Sequence, residues 1–124
     1  MLMGIIEHIL LQQLCAFYEV GEHNHIRLRN ADWNDALDMA GDRGESVAFT
    51  SAYAYNFKDL AVYLKKYMDM TGKKTIELSE NISILLADDV AKYDDIEWKK
   101  SLLDEYTKTC IHDVNGKVVE VEME

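Results

Sequence analysis

Asp32-Trp33-Asn34-Asp35 is the densest string of chemistry-bearing residues in the chain. Two carboxylates three positions apart flank a flat indole and an amide. Carbohydrate chemistry uses this set: the indole stacks on a sugar face, amide and carboxylate groups bond hydroxyls, and one acid protonates a leaving oxygen. The same residues also suit a plainer purpose, with Asp32 or Asp35 capping a short helix over Ala36-Leu37-Asp38-Met39 and Trp33 anchoring a core. The residue types alone leave both readings open.

Three further clusters invite chemistry. Arg43-Gly44-Glu45-Ser46 opens a helical pattern, where free backbone N–H groups and the Arg43 fork can hold a phosphate. Capping explains the same residues better: Ser46 is a good N-cap, Glu45 suits the positive end of the helix dipole, and acidic surroundings disfavour a free anion. His23-Asn24-His25 beside Glu22 matches no zinc spacing, and Cys15 and Cys110 are too distant in sequence to complete one, so no metal is expected. Tyr53, Tyr55, Phe57, Tyr63 and Tyr67 can line a sugar cleft, although aromatic residues at helical spacing more commonly form core.

The elements that position these clusters read as helices. Leu2, Ile5, Ile6, Ile9, Leu10, Leu14, Phe17 and Tyr18 recur at three- and four-residue spacing, which predicts a first helix stopped at Gly21. Periodicity then collapses between Glu22 and Gly44, a long connection for a compact domain. From Ser46 to about Met70 a long helix is apolar on more than one face, and Thr71-Gly72-Lys73-Lys74 ends it. A third helix is expected over Ile76 to Tyr93 and a fourth from Asp95 or Ile96 to about Ile111. Val119-Glu120-Val121-Glu122-Met123 alternates as a short strand would, following an Asn115-Gly116 turn, with little in the chain to partner it. The Glu120, Glu122 and Glu124 tail reads as a solvated end.

The chain has 124 residues, enough for a single domain over 1–124, with 13 Lys and Arg against 23 Asp and Glu and a net charge of −10. That balance repels phosphate backbones and anionic headgroups, so neither nucleic acid nor a membrane is an expected partner. At 48% hydrophobic residues the chain is too apolar for a disordered one. No basic leader or long apolar run points to export, and both cysteines are expected to be reduced, which together suggest a cytoplasmic protein.

Asp32-Trp33-Asn34-Asp35, then Gly41-Asp42-Arg43-Gly44-Glu45-Ser46-Val47, then a long aromatic-rich helix, resembles the inverting glycoside phosphorylases of glycoside hydrolase family 94. These are the cellobiose, chitobiose and 1,2-β-oligoglucan phosphorylases, and Glu19-Val20-Gly21-Glu22-His23 looks like the helix end that leads into their catalytic loop. The resemblance covers Ile5 to about Tyr67. It implies an all-α fold, a sector of an (α/α)₆ barrel with three to four antiparallel helices, a long catalytic loop and a short C-terminal strand or hairpin. It places the general acid on Asp35, the sugar-side tryptophan on Trp33, and loop-shaping and substrate-binding roles on Asp32, Asn34, Arg43 and Glu45. A β-linked glucose oligosaccharide or disaccharide is the implied substrate and inorganic phosphate the co-substrate, with no other cofactor.

In the implied single displacement, Asp35 protonates the glycosidic oxygen while phosphate attacks the anomeric carbon from the opposite face, so one carboxylate suffices. Asp32 or Asp38 is placed to raise the pKa of that acid. Asn30-Ala31 before the motif and Ala36-Leu37 after it depart from the commonest family pattern and lean towards the 1,2-β-oligoglucan branch. The family's enzymes are several times longer and carry their phosphate-binding His and Thr-Gly pair elsewhere. The expectation is therefore a fragment of the barrel, inactive alone, whose uncovered faces self-associate; the alternative is a small acidic helical domain that binds a protein.

Overall fold

A computed structural model describes residues 4–29, 40–112 and 116–123. The described residues are mostly helical and include two small antiparallel sheets. Helix α1 (Ile5–Tyr18) forms because Leu10, Leu14 and Tyr18 stack four apart, with Leu11 and Phe17 beside them, on one face that packs into the core. It ends at Tyr18 and not at Gly21: the Glu19 N–H closes the last turn on Cys15 O, and the backbone at Glu19 leaves the helical region. The Tyr18 hydroxyl donates to Leu85 O at 3.0 Å, so α1 is tied by a buried hydrogen bond to a segment 67 residues away.

Helix α2 (Val47–Thr71) has the expected ends. The Ser46 Oγ accepts from the Phe49 N–H at 3.1 Å, and Gly72, at φ 70°, donates to Met68 O at 2.8 Å in the left-handed conformation that glycine adopts without strain. None of its residues is buried. Phe57 meets Phe17 of α1 edge to face at 6.4 Å, while Val47, Tyr55, Val62, Tyr63 and Met70 lie open, Met70 at 86% exposure. This helix, apolar on more than one face in its sequence, is covered on one side only.

The chain departs from an all-α fold in a short two-stranded pairing ahead of α2 and, more extensively, after it. In place of a helix over Ile76 to Tyr93 it forms strand β3 (Thr75–Ser79), then 3₁₀ turns at Glu80–Leu86 and Val90–Lys92. The cause is non-local. Strand β4 (Val118–Glu122) pairs antiparallel with β3, from Thr75 against Glu122 to Ser79 against Val118, so the C-terminal strand finds its partner here. The three-residue period of the following 3₁₀ turn puts Ile82 and Leu85 on one side, each 1% exposed. Together with Leu14, Tyr18 and Leu78 they form the core, each such side chain contributing about 1.5–3 kcal/mol through burial.

Helix α3 (Ile96–His112) follows, its first turn capped by Asp95, whose Oδ1 accepts from the Trp98 N–H at 3.0 Å. Trp98, Leu102, Leu103 and Tyr106 pack against the core as their spacing predicts. Glu7 of α1 is buried with its carboxylate accepting the Ser79 N–H at 2.6 Å, which locks the end of β3 to the first helix.

Candidate functional site

The segment that carries the candidate site leaves from a short sheet and returns to it. Strand β1 (Ile26–Arg27) pairs antiparallel with β2 (Glu45–Ser46), Ile26 opposite Ser46 and Arg27 opposite Glu45, and the Leu28 N–H donates to Gly44 O at 2.9 Å. The base of the loop is thereby closed immediately before the N-terminus of α2. The Ile26 N–H donates to Thr50 Oγ1 at 3.0 Å, which fastens that base to the first turn of the helix. Asp32, Trp33, Asn34 and Asp35, with Asp38 and the short helix read over Ala36 to Met39, lie outside the described residues.

Arg43 and Glu45 are described, and both are engaged at the loop base. The Arg43 Nε donates to Glu22 Oε1 at 2.7 Å, and its Nη2 bonds the same oxygen. The Glu45 carboxylate does not serve the helix dipole. It turns back on the Gly21–His25 turn, where Oε1 accepts the N–H groups of His23 at 3.0 Å and His25 at 3.3 Å, and Oε2 lies 2.6 Å from His23 Nδ1. With its side chain only 10% exposed, burial pushes its pKa up, but the hydrogen bonds from His23 and His25 outweigh that and hold it below the ordinary carboxylate value. A Cβ at Gly21 would overlap Glu45 Oε1, so a side chain there would push the carboxylate off the turn.

A second set of ion pairs brackets the loop from the α1 side. Arg29 donates through Nε to Glu19 Oε1 at 3.0 Å, Arg27 stands 3.9 Å from the same carboxylate, and Arg27 Nη2 donates to Asp42 O at 2.6 Å. The three arginines of the chain thus all serve the strands and turns around residues 19–45. These pairs are half-exposed or exposed, so solvent screens them and together they set geometry more than stability. Among the described residues no group of three His, Cys, Asp or Glu side chains is placed to hold a metal ion. Cys15 and Cys110 are free, and burial, with Cys110 and Glu19 nearby, pushes the Cys15 thiol above its ordinary value, which makes it a poor nucleophile.

Asn24, from the cluster in which no metal is expected, and Lys99, which the sequence analysis did not single out, complete the arrangement. Asn24, at φ 61°, donates from Nδ2 to Tyr93 O at 3.3 Å and Asp94 Oδ1 at 3.2 Å, and accepts on Oδ1 from Lys99 Nζ at 2.8 Å. Lys99 was legible as an intruder: it stands on the stripe of α3 that also holds Leu102, Leu103 and Tyr106, where a lysine must bury its charge or leave the core. In comparisons with known proteins the chain matches no family model and no curated protein.

Proposed function

We propose that the chain carries the acid-bearing segment of an inverting glycoside phosphorylase, a sector of an (α/α)₆ barrel that works in a cytoplasmic enzyme acting on a β-linked glucose oligosaccharide or disaccharide. Asp35 gives its proton to the glycosidic oxygen as inorganic phosphate attacks the anomeric carbon from the opposite face, releasing a sugar 1-phosphate. Trp33 stacks on the sugar, and Asp32 and Asn34 shape the loop. Arg43 and Glu45 act from the residues that flank the string: one holds Glu22 and the other the Gly21–His25 turn, which fixes the described backbone on its C-terminal side.

One observation supports this reading most. The string lies in sequence between Leu28 and Gly44, whose backbones are hydrogen-bonded to each other just ahead of a long helix. Such closure suits a segment whose geometry matters. No described helix is long and apolar enough to cross a membrane. The test is to replace the matching segment of a family enzyme by residues 5–67 of this chain and to measure phosphate-dependent release of sugar 1-phosphate. Activity that depends on Asp35 supports the proposal, and an inactive but folded chimera overturns it.

The exposed apolar residues of α2 fit an uncovered barrel face and equally a second reading, a small acidic helical domain that binds a protein partner through Tyr55, Val62, Tyr63 and Met70. The two readings part at Trp33. Quenching of its fluorescence by β-glucosides, in a Trp98→Phe background that isolates the signal, supports sugar binding, and an unchanged spectrum supports the binding domain.

A further inference from the structure

The Lys99 ammonium stands where a protein rarely leaves one. The residue is 3% exposed, its Nζ lies 3.9 Å above the Phe17 ring, and its hydrogen bond among the described residues is to Asn24 Oδ1. No described Asp or Glu oxygen comes within 4.0 Å of it. Burying an ammonium without a carboxylate costs several kcal/mol unless something else compensates. The cation–π contact and one amide oxygen compensate in part. Burial accordingly lowers the Lys99 pKa, and Asp94 nearby opposes that and favours the charged form.

The side chain also borders a cavity of about 430 Å³ between α1, the Gly21–His25 turn, α2 and the start of α3. Its walls are mainly Phe17, Ile26, Tyr53, Phe57 and Tyr93, and its polar lining is Thr50 together with Asn24, Asp94 and Lys99. Its size falls within the range of small-molecule sites, and a few polar groups at one end of an apolar cleft is their usual pattern. We propose that this cavity binds a small aromatic monocarboxylate, its ring among Phe17, Tyr53 and Phe57 and its carboxylate on Lys99 Nζ. One ammonium matches one negative charge. A phosphate ester would need more donors than this end supplies, and Asp94 in the same lining opposes a second negative charge more than a single one. Separate from the reading of Asp35, the proposal stands or falls without it.

The test uses the full chain and two probes with the same ring and reach, 3-phenylpropionate and 3-phenylpropan-1-ol, titrated by NMR. A charge-assisted bond to a buried ammonium makes the acid bind about 10- to 100-fold more tightly than the alcohol. Lys99→Met should bring that ratio close to one. Ala54→Trp, on the open side of α2 at the cavity wall, leaves the Lys99 and Asn24 bond in place and should block both probes. Equal binding of acid and alcohol to the unmodified chain overturns the proposal, as does binding of neither. Unchanged binding to Ala54→Trp shows that the probes sit elsewhere and overturns it too. Should Lys99→Met fail to fold, the probe ratio and the Ala54→Trp arm still decide.

Discussion

Replacing Gly21 by alanine should destabilise the chain when Glu45 is present and stabilise it when Glu45 is absent. A Cβ at position 21 would overlap Glu45 Oε1, so the carboxylate has to leave the His23 and His25 N–H groups. Those bonds are solvent-accessible or half-buried, and water replaces part of what is lost, so removing the clamp costs about 1–2 kcal/mol. Gly21 is not in the left-handed region, and alanine there gains about 0.4–1 kcal/mol by restricting the unfolded chain. Gly21→Ala alone should therefore lose about 0.5–1 kcal/mol, and Glu45→Ala alone about 1–2 kcal/mol. In the Glu45→Ala background the clash is gone and Gly21→Ala should gain the full 0.4–1 kcal/mol. In a chain of this length each kcal/mol moves the melting temperature by about 4 °C, so thermal unfolding of the four proteins reads the change of sign. The pH dependence has a matching sign. The folded Glu45 pKa lies below its ordinary value of 4.5, so its contribution is full above that value and is lost as pH falls through the lowered one. The gap between the unmodified chain and Glu45→Ala should shrink in acid. Gly21→Ala destabilising by the same amount in both backgrounds would refute the reasoning.

Tyr18→Phe keeps the ring among Phe17 and Trp98 but strands Leu85 O without its buried donor, and should cost about 1–3 kcal/mol in urea unfolding. Leu85→Ala opens a cavity in a small core and should cost about 2–5 kcal/mol, enough to leave much of the chain unfolded at 37 °C by circular dichroism. Glu120 stands directly opposite Glu77 in the β3–β4 ladder, so Glu120→Lys should raise stability by about 0.5 kcal/mol at low salt, with the gain fading as salt is added.

How far the sequence carried depended on whether the deciding contacts were local. Helices α2 and α3 were legible because their signals lie within a turn of the chain: Ser46 and Gly72 at the ends of one, Asp95 and the Trp98, Leu102, Leu103 and Tyr106 stripe in the other. Residues 75–92 were not legible as strand and 3₁₀ turn. Leu78, Ile82, Leu85 and Leu86 also fit helical spacing, and what overrides it is a ladder with Val118–Glu122, some forty residues away. At the candidate site, strands of two residues are too short to show alternation, and Glu45 finds His23 and His25 across twenty residues. The loop base therefore appeared only as lost periodicity, and Glu45 as a dipole residue when its carboxylate belongs to the turn.

The central claim is that Asp35 protonates the leaving oxygen, and the rate of phosphorolysis in a family enzyme carrying this segment tests it most directly. Protonating a sugar leaving group contributes about 10²- to 10⁴-fold to rate, or about 3–5 kcal/mol of barrier. Asp35→Asn preserves the side-chain size and removes the proton, so turnover of an unactivated β-glucoside should fall by at least that factor while substrate binding changes little. A β-glucoside with a good leaving group needs no protonation and should lose much less. Asp32→Asn should slow both substrates alike. Near-normal turnover of the unactivated substrate by Asp35→Asn, with Asp32→Asn inactive, would contradict the account and move the acid to Asp32.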